Sequence, residues 1–149
     1  MKLLLVCTQG GHFATMMGLK KFWSEHEREW VTHRSADTDM IAKQEKIHFV
    51  PRQTSRSIFM TCVNFFLAFP ILFRMKPDLI ISTGAAVAVP FIYAGRILGI
   101  KTIFIDSISR VENLSLTGKL IHPVVSEIYV QWEQCGREYR KVQYKGSIF

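Results

Sequence analysis

Short apolar runs alternate with helical segments along the whole chain, and that alternation constrains the fold more than any other feature. Lys2 to Cys7, Trp30 to His33, Ile47 to Val50, Asp78 to Ser82, Lys101 to Asp106 and Glu127 to Trp132 are short runs centred on large apolar residues. They read as buried strands. Between them lie helical segments: Phe13 to Ser24, with Phe13, Met16, Met17, Lys20 and Trp23 near one face; Asp37 to Lys46, with Asp37 or Thr38 as its N-cap; and Val87 to Leu98, with Pro90 in its first turn. A short helix at Leu116 to Ile121, a terminal helix at Gln134 to Lys141 and a last short strand at Val142 to Tyr144 complete the reading. Strands separated by helices are joined by crossovers, so the expected class is α/β: a Rossmann-like parallel sheet with helices on both faces. The 149 residues suffice for one domain, 1–149, with a real core.

In such sheets ligands bind beyond the carboxyl ends of the strands, which directs attention to three loops. The first, Thr8-Gln9-Gly10-Gly11-His12, leaves a strand through two glycines and enters a helix. Gly10 and Gly11 allow backbone N–H groups to approach a phosphate, and His12 adds a group able to take a proton. The second is Ser82-Thr83-Gly84-Ala85-Ala86, whose small residues suit either close ligand approach or tight helix-on-strand packing. The third runs from Asp106 through Arg110 to Lys119. Asp106 ends a strand and so is expected to point into the ligand crevice, Arg110 and Lys119 suit phosphate or a local carboxylate, and Ser115 or Thr117 suits a helix cap. Thr117-Gly118-Lys119 lacks the spacing of a nucleotide phosphate loop, which excludes an ATPase of that type.

Ile58 to Phe73 is uncharged and carries Phe59, Phe65, Phe66, Phe69 and Phe73, between Arg52 and Arg56 on one side and Arg74 and Lys76 on the other. A bilayer span takes about 20 apolar residues, and Pro70 interrupts this run. On a helix, Ser57, Thr61, Asn64 and Ala68 form one narrow stripe and everything else is large and apolar. Two readings follow: a helix buried between the sheet and a partner, or an interfacial helix whose aromatics enter a membrane while its basic flanks meet lipid phosphates.

Nineteen Lys and Arg against 12 acids give a net charge of +7, which implies an anionic partner. The basic residues are not gathered into a run interleaved with aromatics, so nucleic acid is not the expected one. Cys7, Cys62 and Cys135, like the scattered histidines, have no metal-ligand spacing. They read as reduced thiols, with no metal and no cofactor expected. No signal peptide precedes the first strand, so the protein is expected to stay on the cytoplasmic side.

Together, Gly10-Gly11-His12, Lys76-Pro77-Asp78-Leu79-Ile80-Ile81-Ser82-Thr83-Gly84, Arg110-Val111, Leu114-Ser115-Leu116-Thr117-Gly118-Lys119 and Val130-Gln131-Trp132-Glu133 resemble the bacterial PssD-type polysaccharide biosynthesis proteins. Those are homologues of the membrane-anchor subunit of the two-part UDP-N-acetylglucosamine transferase of eukaryotic N-glycan assembly. The resemblance covers essentially the whole chain. It implies the N-terminal, acceptor-side half of a GT-B glycosyltransferase that acts with a separate chain binding the nucleotide sugar. The implied acceptor is a polyprenyl-diphosphate-linked sugar at the cytoplasmic face of the inner membrane, in exopolysaccharide or capsule synthesis. It further implies that Gly10 and Gly11 admit the acceptor's diphosphate and that His12 is the base; by their position after strand ends, Arg110 is expected to hold phosphate as well and Thr83 and Gly84 to line the cleft, with Ser115, Thr117 and Lys119 beside them. Asp106, the second catalytic candidate beside His12, stands where the family often has glutamate. With no N-terminal membrane helix, attachment to an anionic membrane surface falls to the 58–73 segment: Arg56, Phe59, Phe65, Phe66, Phe69, Phe73 and Arg74. The alternative is a non-catalytic membrane recruiter that activates a partner enzyme.

Overall fold

The computed structural model describes residues 1–54 and 56–149. Seven parallel strands form one sheet: β1 (Lys2–Cys7), β2 (Glu27–Thr32), β3 (Ile47–Phe49), β4 (Leu79–Gly84), β5 (Lys101–Ile105), β6 (Glu127–Val130) and β7 (Val142–Tyr144). Their spatial order is β3-β2-β1-β4-β5-β6-β7. The chain therefore builds outward from β1 in one direction and then crosses back to start β4 on its other side. The crevice where ligands bind in sheets of this kind lies between β1 and β4. The register slips between Val6 and Cys7, so that Cys7 pairs with Gly84 and the two strands end together at that crevice.

Helices cover both faces. On one, α1 (Gly11–Gly18) and α2 (Lys20–Trp23) bury Met16 and Trp23 against Leu3, Leu5, Leu79 and Ile81. On the other, α4 (Ile58–Met75) and α5 (Ala88–Ile97) pack Ala68, Leu72, Phe91 and Ala94 on Leu4, Val6 and Ile80. Farther along that face Ile121 of α6 (Leu116–Ile121) joins Ile92, Phe104 and Ile128. The remaining helix is α3 (Ala36–Ile41).

Four expectations are corrected. The helix expected over Phe13 to Ser24 starts at Gly11 and breaks at Leu19, whose N–H closes a turn on the Met16 carbonyl. The helix expected over Asp37 to Lys46 stops at Ile41 and is capped by Ser35, not Asp37 or Thr38. Ser35 accepts the Thr38 N–H while the Thr38 hydroxyl accepts the Ser35 N–H, a reciprocal cap that fixes the start two residues earlier. The terminal helix expected over Gln134 to Lys141 is a string of turns, because Gly136 takes a φ of +62° and donates its N–H to Glu112. The apolar segment expected to end at Phe73 continues as helix to Met75, where Lys76 closes it in a left-handed cap.

Candidate functional site

The first turn of α1, just after β1, is fixed to the end of β4 by two bonds between one pair of residues. The His12 Nδ1–H donates to the Thr83 carbonyl at 2.7 Å, and the Thr83 hydroxyl donates to the His12 carbonyl at 2.6 Å. A carbonyl only accepts, so Nδ1 carries the hydrogen and the neutral ring leaves its lone pair on Nε2. Gly84 has a φ of +111°, and a Cβ there would lie 2.5 Å from His12 Nδ1, so the imidazole occupies space only a glycine leaves open.

The loop after β5 closes the third side. Asp106 is 1% exposed, and both its oxygens are engaged by backbone: Oδ1 accepts the Ser107 N–H and Oδ2 the Ser115 N–H, each at 2.8 Å. Just past β6, the Gln131 side chain donates to the Asp106 carbonyl, and the Trp132 indole N–H holds the Ile108 carbonyl at 2.6 Å. Ser115 caps α6 by accepting the Gly118 N–H at 3.0 Å. A carboxylate inside the loop thus spares its own buried charge from isolation and folds the chain back, so that Arg110 reaches the same cleft as Thr117.

The result is a polar cleft of about 250 Å³ lined by His12, Gly84, Asp106, Arg110, Ser115 and Thr117 among others. Six of the expected residues thus meet in one place. Gly10 and Gly11 are outside its lining, at the N-cap and first position of α1, directly before His12. Thr83 does not line it; that side chain is buried and spent on His12. Lys119 is exposed outside the lining. Ser107, Ser109, Ala85 and Phe104 line the cleft without having been singled out. Their signal was only adjacency to Asp106, Arg110 and Gly84. Among the described residues no cluster of three His, Cys, Asp or Glu side chains is placed to hold a metal.

Beside the cleft, α4 inverts the usual amphipathic pattern. Its buried residues are Asn64, Ala68, Leu72 and Met75, while Ile58 (80% exposed), Phe59 (75%), Phe66 (71%) and Phe73 (60%) point outward. The polar stripe faces inward because it is tied there: Asn64 Nδ2 donates to Gln53 Oε1 at 2.8 Å, and Gln53 Nε2 donates to the Thr61 hydroxyl at 2.7 Å and to the Ala86 carbonyl at 3.1 Å. The aromatic set divides. Phe65 and Phe69 are half-buried against the core beneath, whereas Phe59, Phe66 and Phe73 are exposed, with Phe66 edge-on to Phe65 at 5.5 Å and Phe73 6.2 Å from Phe69 between ring centroids. By length and composition α4 is apolar enough to cross a membrane. The charge is segregated as well. Between Lys46 and Ser126 the chain has nine Lys and Arg against three acids, Asp78, Asp106 and Glu112; elsewhere ten basic residues face nine acids. None of the three acids lies on α4, α5 or α6.

The fold and sequence have known counterparts. The structure superposes on MurG of Acinetobacter baumannii with a TM-score of 0.80 at 16% identity, covering 97% of this chain and 45% of that one. It superposes on the UDP-GlcNAc 2-epimerase of Methanocaldococcus jannaschii with a TM-score of 0.74 at 12% identity, covering 99% of this chain and 46% of that one. The chain thus spans about half the length of those proteins and has the fold of one Rossmann-like half of a GT-B pair. In sequence it is 27% identical over 180 residues to the mouse UDP-N-acetylglucosamine transferase subunit ALG14, covering 99% of this chain and 83% of that one. To the human protein of that name it is 33% identical over 114 residues, 68% of this chain and 53% of that one. The model of the Alg14-like oligosaccharide biosynthesis proteins matches residues 3–148, and the chain belongs to that family.

Proposed function

We infer that this chain is the acceptor-side, membrane-associating subunit of a two-component glycosyltransferase. The observation that carries the reading is the His12 ring, locked by Thr83 with Nε2 free, in a cleft that also presents Arg110. The cleft opens at the carboxyl ends of β1, β4 and β5, and the MurG chain that shares this fold is about twice as long, leaving room for a second half. Here a separate chain supplies that half and binds the nucleotide sugar. The mouse and human relatives carry the name of a UDP-N-acetylglucosamine transferase subunit, which favours an N-acetylglucosamine-type donor.

The acceptor is a sugar on a polyprenyl diphosphate. Backbone N–H groups at Gly10 and Gly11, together with Arg110, meet the diphosphate, with Thr117 at the cleft wall and Lys119 outside it supplying field. His12 Nε2 accepts the proton of the acceptor hydroxyl as its oxygen bonds to the anomeric carbon of the donor, whose bond to the nucleotide diphosphate breaks. Asp106 acts through the backbone: its carboxylate shapes the loop that presents Arg110 and Ser115. Phe59, Phe66 and Phe73, flanked by Arg52, Arg56, Arg74 and Lys76, hold the chain on an anionic membrane. The resemblance to PssD-type proteins favours a bacterial exopolysaccharide or capsule setting at the cytoplasmic face of the inner membrane.

The test is reconstitution with the partner half, a nucleotide sugar and a lipid-diphosphate acceptor: turnover requires both chains. The exposed aromatic face of α4 also favours a second reading, a recruiter that only brings the partner to the membrane. Under it, substitutions in the cleft leave turnover unchanged while polar substitutions at Phe59 and Phe66 abolish it.

A further inference from the structure

The polar cleft has a neighbouring cavity on the side facing α4. Thr117, which lines it, also lines a neighbouring apolar cavity of about 230 Å³ with Ala86, Val89, Leu120, Thr61 and Cys62. Thr61, Cys62 and Val89 in turn line a third cavity of about 250 Å³, completed by Phe65, Pro90 and Tyr93. The three share wall residues in sequence and so lie in a row over the outer side of α5, a segmented groove with α4 on one bank and α6 on the other. The banks are pinned. Gln53 bonds the Ala86 carbonyl at the junction with the cleft, and the Tyr93 hydroxyl donates to the Leu120 carbonyl at 2.8 Å between α5 and α6. At its far end Cys62 lies between Phe59 and Phe66 at helical spacing, on the exposed face of α4.

One end of this groove is polar and carries Arg110; the other opens onto apolar surface on a face whose helices bear no acid. An occupant that matches it is anionic at one end and a narrow apolar chain beyond. We propose that the groove between α4 and α6 seats the first isoprene units of the acceptor's polyprenyl chain and leads the rest to the bilayer. The proposal rests on the cleft being the acceptor site. It adds a subsite, with the Thr117–Ala86 junction as the point where head passes to tail.

Cys62 gives a direct probe, because Cys7 and Cys135 are buried. The test follows alkylation of Cys62 by a water-soluble maleimide in the full chain without vesicles, alongside equilibrium dialysis of the ligand. The probe is geranylgeranyl diphosphate below its micelle concentration, with inorganic diphosphate as the comparison. The expected result is several-fold protection of Cys62 by the isoprenyl compound and none by diphosphate. In addition C62W, which fills an exposed position, is expected to weaken the isoprenyl compound about tenfold, the loss of roughly two buried methylenes, and to leave diphosphate unaffected. Equal binding of the two compounds with no protection would overturn the groove while leaving the acceptor cleft standing. Failure of both to bind would remove the cleft reading and the groove with it.

Discussion

His12 and Thr83, 71 residues apart in sequence, hold each other by a reciprocal pair of hydrogen bonds across the β1–β4 crevice. One bond sets the tautomer of the imidazole and the other sets the backbone that carries it. Thr83→Val keeps the shape and deletes the hydroxyl, leaving the His12 carbonyl without that donor. Stability is expected to fall by about 1 kcal/mol. Turnover with the partner half is expected to fall by about tenfold, which is about 1.4 kcal/mol of barrier, at unchanged acceptor KM, with Thr83→Ser retaining both. Thermal melting and steady-state kinetics check this.

Gly84→Ala places a methyl group where the His12 ring stands, at a φ of +111°. Backbone strain of this kind costs about 1–3 kcal/mol, and the ring must also move. The variant is expected to melt lower and to lose turnover. Gly99→Ala, at a φ of +72° with nothing near its Cβ, carries only the strain and keeps turnover. Comparing the two separates lost stability from a displaced imidazole.

The aromatics of α4 are expected to split into two groups. Phe59→Ser, Phe66→Ser and Phe73→Ser alter exposed positions, so stability moves by no more than about 0.5 kcal/mol, while flotation with anionic liposomes is lost. Phe65→Ser and Phe69→Ser remove rings half-buried against Ala68 and Leu72. They are expected to cost roughly 1–3 kcal/mol by lost burial. Paired melting and flotation measurements read both effects.

Burial pushes the Cys7 thiol up to about 12 from 9.0. Burial, then the nearby Asp106 and Glu138, raises that of Cys135, with Arg110 opposing. At neutral pH the native protein is expected to take up one equivalent of maleimide, at the exposed Cys62, and three in denaturant. For Cys7 the native state holds its proton above the pH at which the unfolded chain releases it. Its contribution to stability is therefore complete below about pH 9 and is lost as pH rises towards about 12. Cys7→Ala is expected to flatten the decline of stability over that alkaline window in denaturant titrations.

The strands were legible because parallel strands buried on both faces are continuous apolar runs, and Leu3 to Val6 and Leu79 to Ile81 admit no other reading. The cleft residues were legible because they follow strand ends: His12 after β1, Gly84 at the end of β4, and Asp106 directly after β5. Less was legible where a residue serves a partner far away in sequence. Thr83 read as a lining residue, yet its hydroxyl is turned back on His12. Asp106 read as a group aimed at ligand, yet its oxygens meet Ser107 and Ser115 N–H. The α4 stripe at Asn64 was visible, but its inward direction depends on Gln53, which no helical periodicity links to it.

The most direct test of the account is turnover by the His12→Ala protein reconstituted with its partner half on acceptor-bearing vesicles. Loss of a positioned base removes about 10²–10⁴-fold of rate. The account predicts a loss of that size with flotation and partner binding intact; turnover at the wild-type rate would contradict it.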